Sequence, residues 1–578
     1  MSKRNRLHKP DLRVSNGVCQ RTFCLALASS LLLYASFPPL GLSLLVWIAP
    51  LCWLLLIQQI SWNGSLRVWL SLWSASVVHW LLLLEGIRKA HWANYIGWFA
   101  LAAYLSLYLP VFIWLTRTAV HRLRIPLPLA APVIWVGLEL ARGHLITGFS
   151  MALLGHALVE WTPLIQVADL AGAYGVSFAI MSVCACVTCC LPVTQPKWRL
   201  GPALVALAIV GGVSGYGGYR LSRESNPASG PPLKVALLQM TFDKVFDFDA
   251  ERNRRTYQQY LALAQEARDR APDLDLIVWP ESVFTANTPD LLVEGEPEPP
   301  AGSALSPGEF GARIRQGISA FQAKAWHAAA QVNQVTRDGQ PAMLNIQQLV
   351  GTETVLVRGP RLHNYNSALL ISPTGDVVQR YYKMHPVMFG EYVPFGDVIP
   401  WLYRLTPLPQ GLSRGQSAQA FQVCRQSLAP SICFESSVPH LIRNHVRELT
   451  ECGMEPDVLV NVSDDGWFWG ASILDHQLAG AVFRAVELRR PFLVAANAGL
   501  SAYIDARGRI VARGPRRADT ILFANVPREK RPTLYLAWGD LPAGLCLVAC
   551  LLVAVWAILG RRRQAHEDQP PDTPPATC

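Results

Sequence analysis

Charged residues are scarce in this chain for its length. Of its 578 residues only 16% are Asp, Glu, Lys or Arg, whereas 51% are hydrophobic and the mean hydropathy is +0.22. Soluble globular proteins carry about 25% charged residues. The composition therefore excludes an ordinary soluble protein of this size and predicts extensive membrane-spanning structure.

The formal net charge of +10 is not typical of a nucleic-acid-binding surface here, because much of the basic excess is confined to short segments. These segments are the two termini and short loops between apolar runs, and they include Lys3, Arg4, Arg6, Lys9, Arg13, Arg561, Arg562 and Arg563. Basic residues that flank apolar runs mark the cytoplasmic side of a membrane protein. We therefore expect a membrane partner and no nucleic acid.

Cysteine is too sparse in the polar part of the chain for a disulfide framework. Of the 13 cysteines, only Cys424, Cys433 and Cys452 lie in that part. A single Cys424–Cys452 disulfide remains open and would leave Cys433 as a free thiol. Four others share one apolar run, namely Cys184, Cys186, Cys189 and Cys190. Because no His or carboxylate lies near these four, they are interpreted as packing residues and no metal site is predicted.

Long apolar runs dominate the first part of the chain and return near its end. They lie near 21–37, 42–60, 68–85, 94–116, 126–141, 164–192, 200–220 and 541–560. A spanning helix needs about 20 predominantly apolar residues, so seven spans are predicted before the polar region and one after it. This count puts both termini on one side, which the basic flanks identify as cytoplasmic, with Arg88 and Lys89 as the exception. The polar region is then outside the cytoplasmic membrane.

The chain is predicted to divide into a membrane domain at 1–221, a polar domain at 222–535, a C-terminal membrane helix at 536–562 and a disordered tail at 563–578. In the polar domain, apolar strand-like runs alternate with helical patterns, which favours an α/β fold. Strands are predicted at 234–240, 274–279, 368–372, 431–434, 458–462 and 492–496, and helices at 251–267 and 472–488. The stretch 294–307 is rich in Pro, Glu and Gly and predicts part of an exposed insertion, which we place near 290–340.

Three residues of complementary chemistry follow strand-like runs in the polar domain. Cys433 supplies a thiol, Glu281 a carboxylate and Lys383 an amine. A thiol is a nucleophile only as its thiolate, so Cys433 is predicted as the nucleophile and Glu281 as its base. Lys383, together with the backbone N–H of Phe434, is predicted to stabilise an oxyanion. Each residue alone also has an ordinary interpretation, as a buried packing thiol, a turn-capping carboxylate or a solvated amine.

Longer segments around these residues resemble a known family. The matching segments are Trp279-Pro280-Glu281, Lys383 followed by 389–396, Cys433-Phe434-Glu435, 461–468, His476-Gln477 and 484–491, with 37–41, 142–149 and 169–178 in the apolar half. They are similar to the bacterial apolipoprotein N-acyltransferases, the membrane-embedded branch of the nitrilase superfamily. Because the segments match in order in both halves of the chain, the resemblance is more specific than a triad alone.

The resemblance implies a multi-pass α-helical membrane domain and an extracytoplasmic α/β domain built as a nitrilase-like α-β-β-α sandwich. It implies a ping-pong acyltransferase of lipoprotein maturation with a Glu-Lys-Cys triad and no cofactor. An acyl chain from a phospholipid, expected to be phosphatidylethanolamine, passes through a Cys433 thioester to the N-terminal amino group of diacylglyceryl-cysteine on an apolipoprotein. The implied location is the bacterial cytoplasmic (inner) membrane, with the catalytic domain on the periplasmic side and both termini cytoplasmic.

Further site residues are implied by their positions in the same segments. Glu391 matches a second glutamate that supports Lys383 by charge or serves the loop structurally, and Glu435 follows the nucleophile closely. Phe434 stands where the family commonly has Tyr, so a hydroxyl group is lost here. Four apolar residues are candidates for a substrate entrance at the bilayer surface, with core packing as the alternative: Trp467, Trp469, Phe389 and Met388.

Two other functions are compatible with the same triad. A membrane-anchored amidase or nitrilase-type hydrolase would use water in place of the acceptor amine. A catalytically inactive membrane scaffold would bind lipoproteins without chemistry, but the intact Glu281, Lys383 and Cys433 argue against it. The match across the apolar half favours acyl transfer over hydrolysis.

Overall fold

The computed structural model describes residues 12–567 apart from 60–64, 90, 91, 93, 193–199, 224–229, 245–248, 338, 397 and 406–410. Its N-terminal part is helical throughout. The α-helices are α1 (Leu12–Ser36), α2 (Leu51–Gln58), α3 (Leu66–Leu83), α4 (Asn94–Leu105), α5 (Tyr108–Arg117), α6 (Leu127–His144), α7 (Thr162–Ile165), α8 (Ala168–Cys190) and α9 (Leu200–Ser222).

Within the described residues, seven helices are long and apolar enough to cross a membrane. They are Gly17–Ser36, Leu66–Leu83, Asn94–Arg122, Leu127–Thr147, Ala168–Cys190, Leu200–Ser222 and Leu541–Gly560. The run predicted at 42–60 differs from the others, because it forms a 3₁₀ turn at Ser43–Trp47 followed by the short helix α2. Pro50 lies between the two, and a proline has no N–H with which to continue a helix from the preceding turn.

The polar part forms two β-sheets with helices on their outer faces. One sheet has the order β15-β1-β2-β6-β7-β8, with β3 also paired to β6, and the other has the order β14-β13-β12-β11-β10-β9. The strands of the first sheet are β1 (Leu233–Gln239), β2 (Leu276–Val278), β3 (Asp290–Glu294), β6 (Gln347–Arg358), β7 (Arg361–Ile371), β8 (Val377–Tyr382) and β15 (Thr520–Val526). Those of the second are β9 (Phe421–Val423), β10 (Gln426–Ile432), β11 (Val458–Asp464), β12 (Phe492–Asn497), β13 (Ala502–Ile504) and β14 (Ile510–Arg513).

A small hairpin and six helices complete the fold. The hairpin consists of β4 (Gln334–Arg337) and β5 (Gln340–Met343). The helices are α10 (Ala250–Arg270), α11 (Pro307–Asn333), α12 (Pro439–Glu451), α13 (Ile473–Leu488), α14 (Leu534–Trp538) and α15 (Leu541–Glu567). The six strands and two helices predicted in the polar domain each coincide with or overlap one of these elements.

Alternation along the strands builds two layers of core, as expected because successive side chains of a strand point to opposite faces. In β1, Val235 and Leu237 pack between the sheets with Val460 of β11, whereas Ala236 and Leu238 face α10 and α11. The result is an α-β-β-α sandwich, which confirms the predicted fold class.

The segment between Glu281 and Lys383 carries elements that the sequence predicted only as an insertion near 290–340. It contains β3, α11 and the β4–β5 hairpin. At the other end of the chain, α15 continues beyond the predicted boundary at 562 to Glu567, and the rest of the predicted tail, 568–578, lies outside the described residues. The boundaries between the domains stay predictions.

One apolar core runs from the membrane helices into the sandwich. It joins Phe37 of the membrane part to Phe483 of α13 and to Val494 of β12. The ring of His476 on α13 also meets the ring of Phe37 edge-on, with centroids 5.5 Å apart. The second sheet therefore has the membrane domain, and not water, on the far side of its helices.

Candidate active site

Cys433 lies where β10 ends and a 3₁₀ turn, Cys433–Ser437, begins. Its φ is +53°, a left-handed conformation that non-glycine residues seldom adopt. Such strain often accompanies functional side chains that the surrounding fold holds in place. Here Asn461 of β11 donates its amide to the Cys433 carbonyl at 3.2 Å. The first N–H groups of a helical turn have no partner within the turn, and Phe434 supplies one of them.

Lys383 directly follows β8 and is buried between two carboxylates. Its Nζ lies 2.7 Å from Glu391 Oε1 and 3.4 Å from Glu281 Oε1. Glu391 is held in turn by the Val387 N–H, which donates to its Oε2 at 2.7 Å. The geometry therefore brings the predicted Glu281 and Lys383 together. It also places Glu391 against the ammonium group, as expected if Glu391 supports Lys383 by its charge.

Glu281 is fixed by two groups that the sequence analysis did not identify. Asn366 of β7 donates its side-chain amide to Glu281 Oε1 at 2.5 Å and to Glu391 Oε1 at 3.2 Å. The backbone N–H of Asp464, at the end of β11, donates to Glu281 Oε2 at 2.8 Å. The available signal for Asn366 was its position two residues before the apolar run predicted as a strand at 368–372, because an amide side chain at the edge of a buried strand needs partners. The Asp464 N–H has no sequence signal.

Glu435 ties the nucleophile turn to the strand that carries Lys383. Its Oε1 accepts the N–H groups of Met384 at 2.6 Å and His385 at 2.9 Å. Its Oε2 accepts the Ile432 N–H at 2.7 Å and the Tyr381 hydroxyl at 2.8 Å. Burial raises the pKa of Glu435, although these donors oppose the shift. Its contacts are those of a residue that positions Cys433 and Lys383 relative to each other.

The electrostatics of the three central groups follow from burial and from their mutual charges. Burial and the Glu281 carboxylate raise the pKa of the Cys433 thiol well above its usual range, against the opposing effect of Lys383. Burial also raises the pKa of Glu281, with Lys383 opposing. For Lys383 burial acts to lower the pKa, but the carboxylates of Glu391 and Glu281 outweigh it and hold the pKa well above its ordinary value. The resting site is thus a thiol beside an ammonium group and two carboxyl groups.

The candidate entrance residues do not share one environment. Phe389 is 58% exposed and Trp469 is 47% exposed, and both have positive φ values, whereas Met388 and Trp467 are half-buried. Phe434 stacks against His385, with ring centroids 6.0 Å apart. Phe389 and Trp469 accordingly present large apolar groups outside the core, while the role of all four as an entrance stays a prediction.

This constellation can carry out acyl transfer through a covalent intermediate. The carboxylate of Glu281 can accept the thiol proton, and the Lys383 ammonium group can stabilise negative charge that develops on a carbonyl oxygen. Both groups are held rigidly by buried hydrogen bonds, so they need little rearrangement during the reaction. A thioester on Cys433 would then be open to attack by water or by an amine.

Two family models match the chain, one to each half. The model described as apolipoprotein N-acyltransferase N-terminal domain matches residues 29–186. The model described as carbon-nitrogen hydrolase matches residues 234–531, which contain every residue of the site.

Curated relatives match along nearly the whole chain. The apolipoprotein N-acyltransferase of Rhodopirellula baltica is 32% identical over 573 residues, which cover 93% of this chain and 98% of the relative. That of Geobacter metallireducens is 30% identical and covers 97% of this chain and 99% of the relative. Among solved structures, an amidase of the nitrilase superfamily from Nesterenkonia AN1 matches 55% of this chain and 98% of its own, with 14% identity and a TM-score of 0.34.

Proposed function

The chain belongs to the apolipoprotein N-acyltransferase family and is a membrane acyltransferase, and on that premise we propose that Cys433 carries the acyl group between donor and acceptor. The observation that supports this assignment is the buried contact of Lys383 with Glu281 and Glu391 beside the strained Cys433. The family membership favours acyl transfer over the hydrolase and scaffold alternatives.

In the first half-reaction, Glu281 takes the thiol proton as the Cys433 sulfur attacks an ester carbonyl of a phospholipid. The tetrahedral oxyanion lies against the Lys383 ammonium group and the Phe434 N–H. Collapse of the intermediate breaks the ester C–O bond, and Glu281 returns the proton to the leaving oxygen. The products are a thioester on Cys433 and a lysophospholipid.

In the second half-reaction, the amino group of diacylglyceryl-cysteine on an apolipoprotein attacks the thioester carbonyl. Glu281 removes a proton from the amine, an amide bond forms and the C–S bond breaks. The proton then returns to the Cys433 sulfur, which restores the resting thiol. A thioester is well suited to this step because one site can serve both half-reactions in turn.

The acyl donor and the orientation in the membrane are proposed as well. We infer that the donor is the sn-1 chain of phosphatidylethanolamine and that the sandwich lies on the periplasmic side of the cytoplasmic membrane, with both termini cytoplasmic. Placing both termini on one side requires an even number of crossings, so in this proposal the shorter apolar segment Ser43–Gln58 crosses the membrane as an eighth span. The basic termini support that orientation through the positive-inside rule. Exposed Phe389 and Trp469 support an apolar approach to the site for a lipid chain.

Intact-mass measurement of the purified full-length protein after incubation with phosphatidylethanolamine tests the assignment of Cys433. We expect one hydroxylamine-labile acyl adduct on the parent protein and on Cys424→Ala, and none on Cys433→Ala. Cys424 is the matched control because it is an exposed free thiol of the same domain. An adduct that persists in Cys433→Ala, or active protein that forms none, would overturn the thioester mechanism.

A further inference from the structure

Outside the active site, three side chains with metal-ligating atoms meet at the junction of the membrane part and the sandwich. His144 is the last residue of α6, His440 is the second residue of α12 and Asp540 directly precedes α15. One ligand atom from each residue lies within 4.8 Å of those of the other two. Within the described chain this is the one such group of His, Cys, Asp or Glu residues.

Two of the three side chains already make the outer hydrogen bonds that metal ligands usually make. His144 Nδ1 lies 3.0 Å from the Leu140 carbonyl oxygen, so a proton on Nδ1 is donated there and Nε2 keeps its lone pair. Metal-binding histidines characteristically donate their other ring N–H to a carbonyl or carboxylate. The Tyr535 hydroxyl donates to Asp540 Oδ1 at 2.8 Å, which fixes that carboxylate and leaves its second oxygen as a ligand atom.

His440 supplies an independent indication that something is bound here. Its Nδ1 is buried and has no hydrogen-bond partner within the described residues. A buried polar atom without a partner destabilises the folded state, and coordination would satisfy it. The rings of His144 and His440 lie face to face, with centroids 4.3 Å apart and planes 24° apart. His144 is exposed, so its ring is free to turn toward a shared ion.

The guanidinium group of Arg443 lies near this carboxylate but makes no ion pair with it among the described residues. Arg443 of α12 donates to the carbonyl oxygens of Tyr535, Leu536 and Ala537 at 3.3, 3.0 and 2.9 Å. Gly539 allows this approach, because a Cβ there would lie 2.6 Å from the Arg443 guanidinium carbon. Arg443 therefore places the segment before α15 against α12 while Asp540 keeps its second oxygen.

We propose that His144, His440 and Asp540 bind one Zn²⁺ ion that fastens α6, α12 and the start of α15 together. Two imidazoles and a carboxylate are a ligand set for zinc, with water in the fourth position, whereas Mg²⁺ and Ca²⁺ prefer oxygen ligands. Zinc–ligand bonds of about 2.0–2.1 Å require the three atoms to draw together from their present separations. Such an ion would hold the first turn of α12 in place, and α12 begins just after the turn that carries Cys433.

The test is a Zn²⁺ titration of tag-free, chelator-treated full-length protein in detergent, followed by calorimetry and metal analysis. All proteins carry Cys433→Ala so that the active-site thiol cannot bind the metal, which also makes the result independent of the proposed function. We expect one Zn²⁺ per chain and a higher Tm with Zn²⁺. His440→Ala and the nearly isosteric Asp540→Asn should bind at least about tenfold more weakly and lose the rise in Tm.

The matched control is His327→Ala, which removes an exposed histidine of α11 remote from the cluster; it should bind as the parent does. Replacement of Zn²⁺ by Co²⁺ should give the visible absorption of a tetrahedral site in the parent and not in Asp540→Asn. The Tm without metal shows whether each variant is folded. Absence of stoichiometric Zn²⁺ on the folded parent, or a Zn²⁺ affinity of His440→Ala and Asp540→Asn equal to that of the parent, would overturn the proposal.

Discussion

Helices α10 and α13 occupy equivalent layers of the sandwich, yet their charged residues have different environments. On α10 the buried residues form a single stripe, and its charges pair along the same exposed face, as Arg254 and Arg255 do with Glu251. Almost every residue of α13 is buried, including Arg484 and Glu487. The difference arises because the outer face of α10 is exposed to solvent, whereas the outer face of α13 packs against the membrane domain.

The buried charges at α13 connect the two domains. Glu487 Oε1 accepts the N–H of Ala173 in α8 at 2.9 Å, next to a break in that helix at Ala171 and Gly172. Gly172 has a φ of +67°, and a Cβ there would lie 2.6 Å from the ring of Tyr535, so this close approach needs glycine. Arg489, just after α13, donates to Asp169 Oδ2 at 2.6 Å. On α13, the face covered by the membrane domain, ionic contacts therefore orient the two domains. On α10, the face open to solvent, they only keep the helix soluble.

The largest effect is expected from breaking the covered face at Asp169. Its carboxylate is buried against Arg489, Arg220 and the Tyr216 hydroxyl, with contacts of 2.6–2.7 Å. Asp169→Asn leaves two guanidinium groups without their counter-charge, and removal of one partner of a buried ion pair costs on the order of 3–5 kcal/mol. Chemical unfolding in detergent measures the loss.

The control for that comparison is Glu251→Gln, which removes an exposed ion-pair partner on α10. No measurable change in the unfolding midpoint is expected, because exposed pairs contribute little. Equal losses in the two variants would show that the covered and open faces do not differ in the way described.

A pH dependence is expected from Asp465, which lies beneath α13. Gln477 of α13 donates to Ser463 Oγ at 3.1 Å, and Ser463 Oγ donates to Asp465 at 2.6 Å. Burial raises the pKa of Asp465 from 3.8 to about 7. Between these values the folded state binds more protons than the unfolded state, so stability falls as pH rises from about 4 to 7.

The pKa shift of Asp465 corresponds to a fall on the order of 4 kcal/mol across that window. Asp465→Asn should remove this part of the slope when unfolding is followed at several pH values. An unchanged slope in the variant would show that Asp465 does not titrate in this range in the folded protein.

A smaller effect, on catalytic activity, is expected from Glu391 in the candidate active site. Glu391→Gln removes the shorter of the two ion pairs of Lys383. The charged hydrogen bond is worth about 1.5–3 kcal/mol, so kcat/KM should fall about 10- to 100-fold while the protein stays folded. An acylation assay with phosphatidylethanolamine and a diacylglyceryl peptide measures this, and unchanged kinetics would favour the purely structural loop interpretation of Glu391.

The smallest expected effect belongs to Lys324 of α11, on the open side of the sandwich. Its ammonium group donates to the carbonyl oxygens of Phe284, Thr285 and Thr288 at 2.6–2.8 Å, in the loop that follows Glu281. Burial lowers the pKa of Lys324 to about 7. Lys324→Met leaves these carbonyls unpaired and should cost about 1–2 kcal/mol of stability at pH 6, where the lysine is protonated.

Chemical unfolding at pH 6 and pH 9 checks the Lys324 contribution. Because the pKa of Lys324 is lowered in the folded protein, the unfolded state binds more protons than the folded state above pH 7, and the stability of the parent rises with pH. The difference in stability from Lys324→Met should therefore be larger at pH 9 than at pH 6. An equal or smaller difference at pH 9 would show that the pKa of Lys324 is not lowered in the folded protein.

Local sequence pattern determined most of the elements and the identity of the central groups. Apolar runs of spanning length and alternation in buried strands depend only on neighbouring residues. Of the eight predicted spans, seven coincide with long helices, and the predicted strands overlap β1, β2, β7, β10, β11 and β12. The apolar pattern did not predict the break within 42–60. There Pro50 separates a 3₁₀ turn from a short helix, so the segment is not one continuous helix.

Only the tertiary structure decided which distant groups meet. Asn366 reaches Glu281, Glu435 clamps Met384, and Asp169 of α8 pairs with Arg489. Each contact joins residues far apart in the chain, and hydrogen bonds and ion pairs act over only a few ångströms. The sequence by itself determined which side chains were available for chemistry; the packing of the sandwich on the membrane helices decided their partners, because only packing sets the distances between elements.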